Sequence, residues 1–213
     1  GEIMSENNRK ALIKSKFIGC LLGVAVGDAL GASFEELLLT KVPETGISRI
    51  LRYTDDTEMT IGVAESLIAK KGFDGKHMAW TFIRNYNPMR GYGPGPPKVF
   101  KWIKSGVPWN EAAKKLYGGA GSFGNGAAMR IAPVALLYYD DEKLLKEMAY
   151  KVSSITHTHP LGMEGAAIQA YAIAQALKTK PDELNSREFL EKLQQFTKNK
   201  IYLKKLKAIS ELL

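Results

Sequence analysis

No stretch of this chain alternates apolar and polar residues with the period of two expected of a half-buried strand, and that omission constrains the fold more than any single motif. Apolar residues recur instead at three- and four-residue spacing, in runs closed by glycine, proline or capping residues. The pattern predicts an all-α protein. With 213 residues, 45% of them apolar, the chain is long enough to bury a sizeable core and reads as one domain, 1–213. Helices are expected near residues 8–31, 57–70, 77–85, 98–104 and 110–116. Further helices are expected from the glycines before Ala127 through Tyr138, then near 141–153, 160–177, 186–198 and 202–213.

In the first of these helices Gly19, Gly23, Gly27 and Gly31 recur every fourth residue and so share one face. Each costs roughly 1 kcal/mol of helix propensity relative to alanine, so tight packing is expected in return, in a central helix. Asp28 is the one ionisable residue in the apolar run that follows Lys16. A carboxylate there needs partners, either structural donors or a polar site nearby.

Residues 53–60 read Y-T-D-D-T-E-M-T, directly before an apolar helical run. Thr54, Asp55, Asp56 and Thr57 form a compact set of hard oxygen donors, suited to Mg²⁺, Mn²⁺ or Ca²⁺. The same residues are favoured at a helix start, where they cap free N–H groups and complement the dipole. Further along, Asn87–Pro97 packs four prolines and three glycines into eleven residues, an irregular loop of the kind that often lines a site. Tyr117–Arg130 carries Gly118, Gly119, Gly121, Gly124 and Gly126 ahead of an Ala-rich segment. A glycine-rich turn feeding a helix N-terminus leaves N–H groups free for an anion, with phosphate the natural guest; a flexible glycine turn is the plainer reading. No Gly-Lys-Ser/Thr follows, so it is no Walker loop. His157 and His159, in T-H-T-H-P, precede a helix that Pro160 is placed to start; they are ligand or substrate donors, or caps.

The net charge of +8 comes largely from lysines near the two ends, Lys10 to Lys16 and Lys198 to Lys207. Solvated helix faces explain them. A basic helical nucleic-acid module is the rival reading, but no reading motif or interleaved aromatics accompany the lysines. One cysteine, Cys20, allows no internal disulfide and fits a reducing compartment. Residues 14–32 have the outline of a cleaved signal peptide, but Asp28 ends the apolar run too early for a membrane span. The expected location is cytoplasmic.

Four stretches, G-V-A-V-G-D-A-L-G-A-S-F-E (Gly23–Glu35), Y-T-D-D-T-E-M-T, G-S-F-G-N-G-A-A-M-R (Gly121–Arg130) and T-H-T-H-P, in this order and spacing resemble the ADP-ribosylglycohydrolase family. The resemblance covers nearly the whole chain. It implies an all-α fold with two divalent ions, Mg²⁺ or Mn²⁺, in a cleft, and hydrolysis of the bond joining ADP-ribose to a protein side chain or small acceptor. Thr54, Asp55 and Asp56 match metal ligands, and Glu35 a glutamate beside the metals, the candidate general acid or base. Gly121, Ser122, Phe123, Gly124 and Asn125 match the diphosphate loop, with Phe123 against the adenosine, and His157 a histidine near the ribose. Asp28 and His159 are candidates for a supporting layer. The implied partner is an ADP-ribosylated protein or ADP-ribose derivative, with no membrane involved and nucleic acid disfavoured. The family's remaining metal ligands come from an Asp-x-Asp-Thr motif near its C-terminus, which this chain lacks. A missing C-terminal segment is therefore expected, and a relative of the same fold that binds without catalysis is the alternative.

Overall fold

The structure is a computed structural model that describes residues 6–35 and 51–213. Among the described residues it contains ten α-helices and no strand. They are α1 (Glu6–Gly31), α2 (Asp55–Lys70), α3 (Gly75–Asn85), α4 (Gly95–Lys104), α5 (Trp109–Ala112), α6 (Ala132–Tyr138), α7 (Glu142–Ser153), α8 (Pro160–Lys178), α9 (Ser186–Phe196) and α10 (Lys200–Ser210).

Caps set most of these boundaries. Asp74, Asp141, Asn185 and Asn199 each accept a backbone N–H of the following first turn. Three helices differ from the sequence expectation, two of them because of proline. Helix α4 starts at Gly95 rather than Lys98, with Pro96 and Pro97 in its first turn, where a missing N–H breaks no intrahelical bond. Pro133 sits likewise in the first turn of α6, so this helix begins at Ala132 and not at the glycines. The segment expected as one helix near 110–116 is α5 followed by a 3-10 stretch that kinks at Leu116, Tyr117 and Gly118.

The core lies between α2, α3, α6, α7 and α8. Helix α8 packs against α6 and α7 through Ala166, Ala167, Ala170 and Ala174, whose small side chains let the helix axes approach closely. Met59 and Val63 of α2 meet Met78 and Phe82 of α3, all but excluded from solvent. Burying each of these large side chains contributes roughly 1.5–3 kcal/mol. Phe82 lies so close to Gly62 that a Cβ there would be 2.9 Å from its ring.

Helix α1 corrects the expectation of a tightly packed central helix. None of its residues is buried, and a Cβ at Gly19, Gly23, Gly27 or Gly31 would meet nothing within 4 Å. One side is held: Phe17 meets the Tyr139 ring edge-on at 6.2 Å, and Lys16 Nζ donates to the carbonyls of Leu177 and Thr179 at 2.6 and 2.9 Å, closing the end of α8. The glycine side faces away from every described helix, with Ile18, Leu22 and Val26 beside it 50, 60 and 55% exposed. Periodicity found the small-residue face; among the described residues nothing lies against it. No described helix is long and apolar enough to cross a membrane.

Candidate functional site

The acidic stretch forms the first turn of α2, two residues earlier than expected, so the capping and site readings apply to the same residues. Thr54 is the N-cap, its Oγ1 accepting the Asp56 N–H at 3.3 Å. A second cap comes from α1. Asp28 accepts from Thr54 N and Oγ1 at 2.8 and 2.7 Å, and from Thr57 N and Oγ1 at 3.1 and 2.5 Å. Asp28 is thus hydrogen-bonded structurally and adjacent to the site at once, and its charge suits the positive end of the helix. Fastened this way, the turn presents Asp55 and Asp56 to a cleft of about 320 Å³ that Glu35 also lines.

The carboxylates strain against their surroundings. Asp55 is pushed up to about 7, first by burial and next by Asp56, with Glu35 and Asp28 adding. Asp56 is pushed up to about 6 by burial, then by Asp28 and Glu35. A bound cation would reverse both effects, and carboxylate and hydroxyl oxygens suit Mg²⁺ or Mn²⁺ in kind. In number they fall short. Among the described residues no group of three or more His, Cys, Asp or Glu side chains is arranged to hold a metal, while Mg²⁺ takes about six oxygens.

Across the cleft lies the glycine-rich loop. Tyr117, Gly118, Gly119 and Gly121 all have positive φ, and Gly121 admits nothing larger: a Cβ would lie 2.8 Å from the backbone nitrogen of His159. Ser122 Oγ accepts the Gly124 N–H at 3.3 Å, and Ser122, Gly124 and Asn125 line the cleft. The helix that this loop abuts is α8, not α6. A Cβ at Gly162 in the first turn of α8 would be 3.0 Å from the Ser122 carbonyl oxygen, and His159 N donates to that oxygen at 3.4 Å. His159 caps α8, its Nδ1 accepting the Leu161 N–H at 3.1 Å, and Phe123, 70% exposed, tilts against its ring at 5.3 Å. His157 is buried on the cleft wall with Nδ1 2.8 Å from Thr156 Oγ1, its ring against Gly126. Burial, and then the nearby Arg130 charge, lower it to about 3, so it is a neutral hydrogen-bonding group at ordinary pH.

The structure therefore gathers Glu35, Asp55, Asp56, Ser122, Gly124, Asn125 and His157 around one cleft. Thr54 borders a neighbouring groove that shares Glu35 and Gly91 with it. Asp28 stands behind the acidic turn, His159 behind the glycine loop, and Phe123 projects beyond the rim. Several participants have no local signal in the sequence. Tyr117, 61% exposed at φ 53°, stands at the cleft; only its place before two glycines could have drawn notice. Arg130 is fully buried, with Nη2 donating to the Val152 carbonyl at 3.1 Å, and no pattern marks an arginine as buried. The Pro/Gly loop supplies a further wall at Gly91, Gly93, Pro94, Gly95 and Pro96.

A model of the ADP-ribosylglycohydrolase family matches residues 9–213. The chain belongs to the ADP-ribosylglycohydrolase family. The relatives include ADP-ribosylhydrolase ARH3 of Gallus gallus, 38% identical over 202 residues, covering 84% of this chain and 54% of that protein. ARH3 of Homo sapiens is 37% identical, covering 84% and 54%. The ADP-ribosyl-[dinitrogen reductase] glycohydrolase of Rhodospirillum rubrum is 30% identical over 70% of this chain and 53% of its own length. A solved ADP-ribosylglycohydrolase-related protein complex superposes with a TM-score of 0.66 at 28% identity, covering 87% of this chain and 62% of the other. The chain spans about half the length of these curated relatives.

Proposed function

We propose that the cleft binds ADP-ribose and that the protein hydrolyses the glycosidic bond joining ADP-ribose to a protein side chain or small acceptor. One observation carries the reading: the acidic first turn of α2 and the glycine loop face the same cleft, although Asp56 and Ser122 are 66 residues apart in sequence. In it, backbone N–H groups of Ser122, Phe123 and Asn125 hold the diphosphate, with Gly124 letting the backbone approach the charge. Phe123 offers its exposed ring to the adenosine. His157, uncharged and fixed by Thr156, hydrogen-bonds the ribose.

Thr54, Asp55 and Asp56 would hold a divalent ion, Mg²⁺ or Mn²⁺, with further oxygens completing the shell. When bound, such an ion orients the ribose hydroxyls and acidifies water. Glu35, on the cleft wall, acts as general acid and base: it delivers a proton to the departing acceptor atom and takes one from water. The bond from anomeric carbon to acceptor breaks, the water oxygen bonds to that carbon, and the acceptor leaves with the proton. The two-carboxylate scheme of ordinary glycosidases is a poorer match, because Asp55 and Asp56 adjoin one another rather than flanking a sugar.

Calorimetric titration of ADP-ribose, with and without Mg²⁺ and with Asp56→Ala as control, tests the reading. Binding that needs both the ion and Asp56 supports it. Binding without turnover of any ADP-ribosylated substrate favours a non-catalytic relative, and no binding under any condition overturns it.

A further inference from the structure

The Pro/Gly wall of the cleft has little regular backbone structure, though the Tyr92 ring packs against Tyr86 and Phe100. Between Asn87 and Pro94 it forms one 3-10 turn, Pro88–Arg90, and then reverses through Gly91 at φ 82°. Two side chains supply what the backbone lacks. Glu58 of α2 is buried, and its Oε1 accepts the Asn87 N–H at 2.9 Å and the Tyr92 hydroxyl at 2.7 Å, gripping the wall on both sides of the turn. Arg90, inside the turn, reaches back to α2. Its Nη1 donates to the Tyr53 carbonyl at 2.9 Å, its guanidinium lies 3.6 Å from the Tyr53 ring centroid, and its Nε stands 3.8 Å from Glu58 Oε2. Tyr53 and Glu58 bracket Asp55 and Asp56 in the chain. The wall is therefore tied to residues two places before and two places after the acidic pair, and neither Glu58 nor Arg90 lines the cleft.

We propose that Glu58 and Arg90 are positioning residues: together they clamp the wall, residues 87–94, onto the start of α2 and so fix the width of the cleft at the acidic pair. The proposal rests on the ADP-ribose reading above for its functional consequence, but not for the clamp itself. Removing the Glu58 carboxylate leaves the half-buried Asn87 N–H and Tyr92 phenol without that acceptor. Removing the guanidinium frees the Tyr53 carbonyl and uncovers its ring. Both losses leave the flanking helices their buried side chains, Met59 and Val63 on one side and Val99 and Phe100 on the other, and leave the Tyr92 ring against Tyr86 and Phe100. Opening is therefore local. Lysine cannot replace Arg90, because a single ammonium does not lie flat on a ring while donating to the Tyr53 carbonyl and facing the Glu58 carboxylate.

Hydrogen–deuterium exchange of the free 213-residue protein, paired with ADP-ribose titration in Mg²⁺, tests this on Glu58→Ala, Glu58→Gln, Arg90→Ala and Arg90→Lys. Glu58→Ala and both Arg90 variants are expected to speed exchange in 87–94 by roughly ten-fold, the scale of one lost hydrogen bond, with the rest of the protein unchanged. ADP-ribose affinity should fall by a similar factor. Glu58→Gln, which keeps the shared acceptor oxygen, should retain most of both. Unchanged exchange in 87–94, or equal acceleration across the whole protein, overturns the clamp. Faster exchange there with undiminished ADP-ribose affinity overturns the positioning role. A wild-type protein that binds no ADP-ribose overturns the functional reading instead, while exchange still decides whether the clamp exists.

Discussion

Replacing Gly121 by alanine separates two penalties that the structure superimposes at that residue. Its φ of 74° lies in the left-handed region, which costs an alanine about 1–2 kcal/mol. A Cβ would also come within 2.8 Å of the His159 backbone nitrogen and collide with Thr158, and backbone held by the α8 cap has little room to retreat. Overpacking of that kind adds about 1–3 kcal/mol. Gly118 is the control, since its φ of 67° imposes the same backbone cost while a Cβ there meets nothing within 4 Å. Gly118→Ala should therefore destabilise by about 1–2 kcal/mol and Gly121→Ala by about 2–5 kcal/mol. For a domain of this size, that corresponds to melting temperatures roughly 2–8 °C and 4–20 °C lower. Urea titration monitored by circular dichroism measures both, and ADP-ribose titration should show the larger loss for Gly121→Ala. Equal destabilisation by the two variants would refute the close approach of the glycine loop to α8, and with it the placement of Ser122 to Asn125 on the cleft.

Two substitutions on α1 should diverge sharply: Asp28→Ala, which strands four donors, should cost about 3 kcal/mol in urea denaturation, whereas Leu22→Gln should stay within about 0.5 kcal/mol. The buried Glu164 carboxylate is raised by burial but lowered on balance by Thr197, Tyr150 and Lys146, so its folded pKa lies below the ordinary 4.5. Its stabilisation is present above that value and lost as pH falls through the depressed one, so Glu164→Gln should be markedly less stable than wild type at pH 7 and lose that disadvantage progressively as pH falls below 4.5 in acid titrations of stability. For Asp55 and Asp56 the sign is opposite. With folded pKa values raised to about 7 and about 6 from 3.8, they cost stability as pH rises through that window, so in chelator Asp55→Asn should melt above wild type at pH 8 and match it near pH 4. Mg²⁺ should raise the wild-type melting temperature at pH 8 and leave Asp55→Asn nearly unmoved; equal shifts in the two proteins would remove Asp55 from the cation site.

The sequence by itself determined the elements. Helical spacing of apolar residues placed most helices to within a few residues, because periodicity is local to the chain; the caps at Asp74, Asp141, Asn185 and Asn199 came only with the structure. It also brought Thr54, Asp55 and Asp56 and the Gly121–Asn125 loop forward as chemistry, since residue type and spacing carry that information. Where proline stands near a helix start the sequence misled, because Pro96, Pro97 and Pro133 break a helix or begin one according to which side of the boundary they occupy.

Only the tertiary structure decided what faces what. Asp28 had two open readings until Thr54 and Thr57 were found to donate to it from another helix. The glycine stripe of α1 was legible as a face, yet a face does not state its neighbour. Tyr117, Arg130, Glu58 and Arg90 acquire their roles from contacts 22 to 71 residues away in the chain or from a strained backbone, and no local pattern encodes either. Local propensity is a property of a few consecutive residues, whereas burial and shared charge depend on the closed chain, where segments remote in sequence meet.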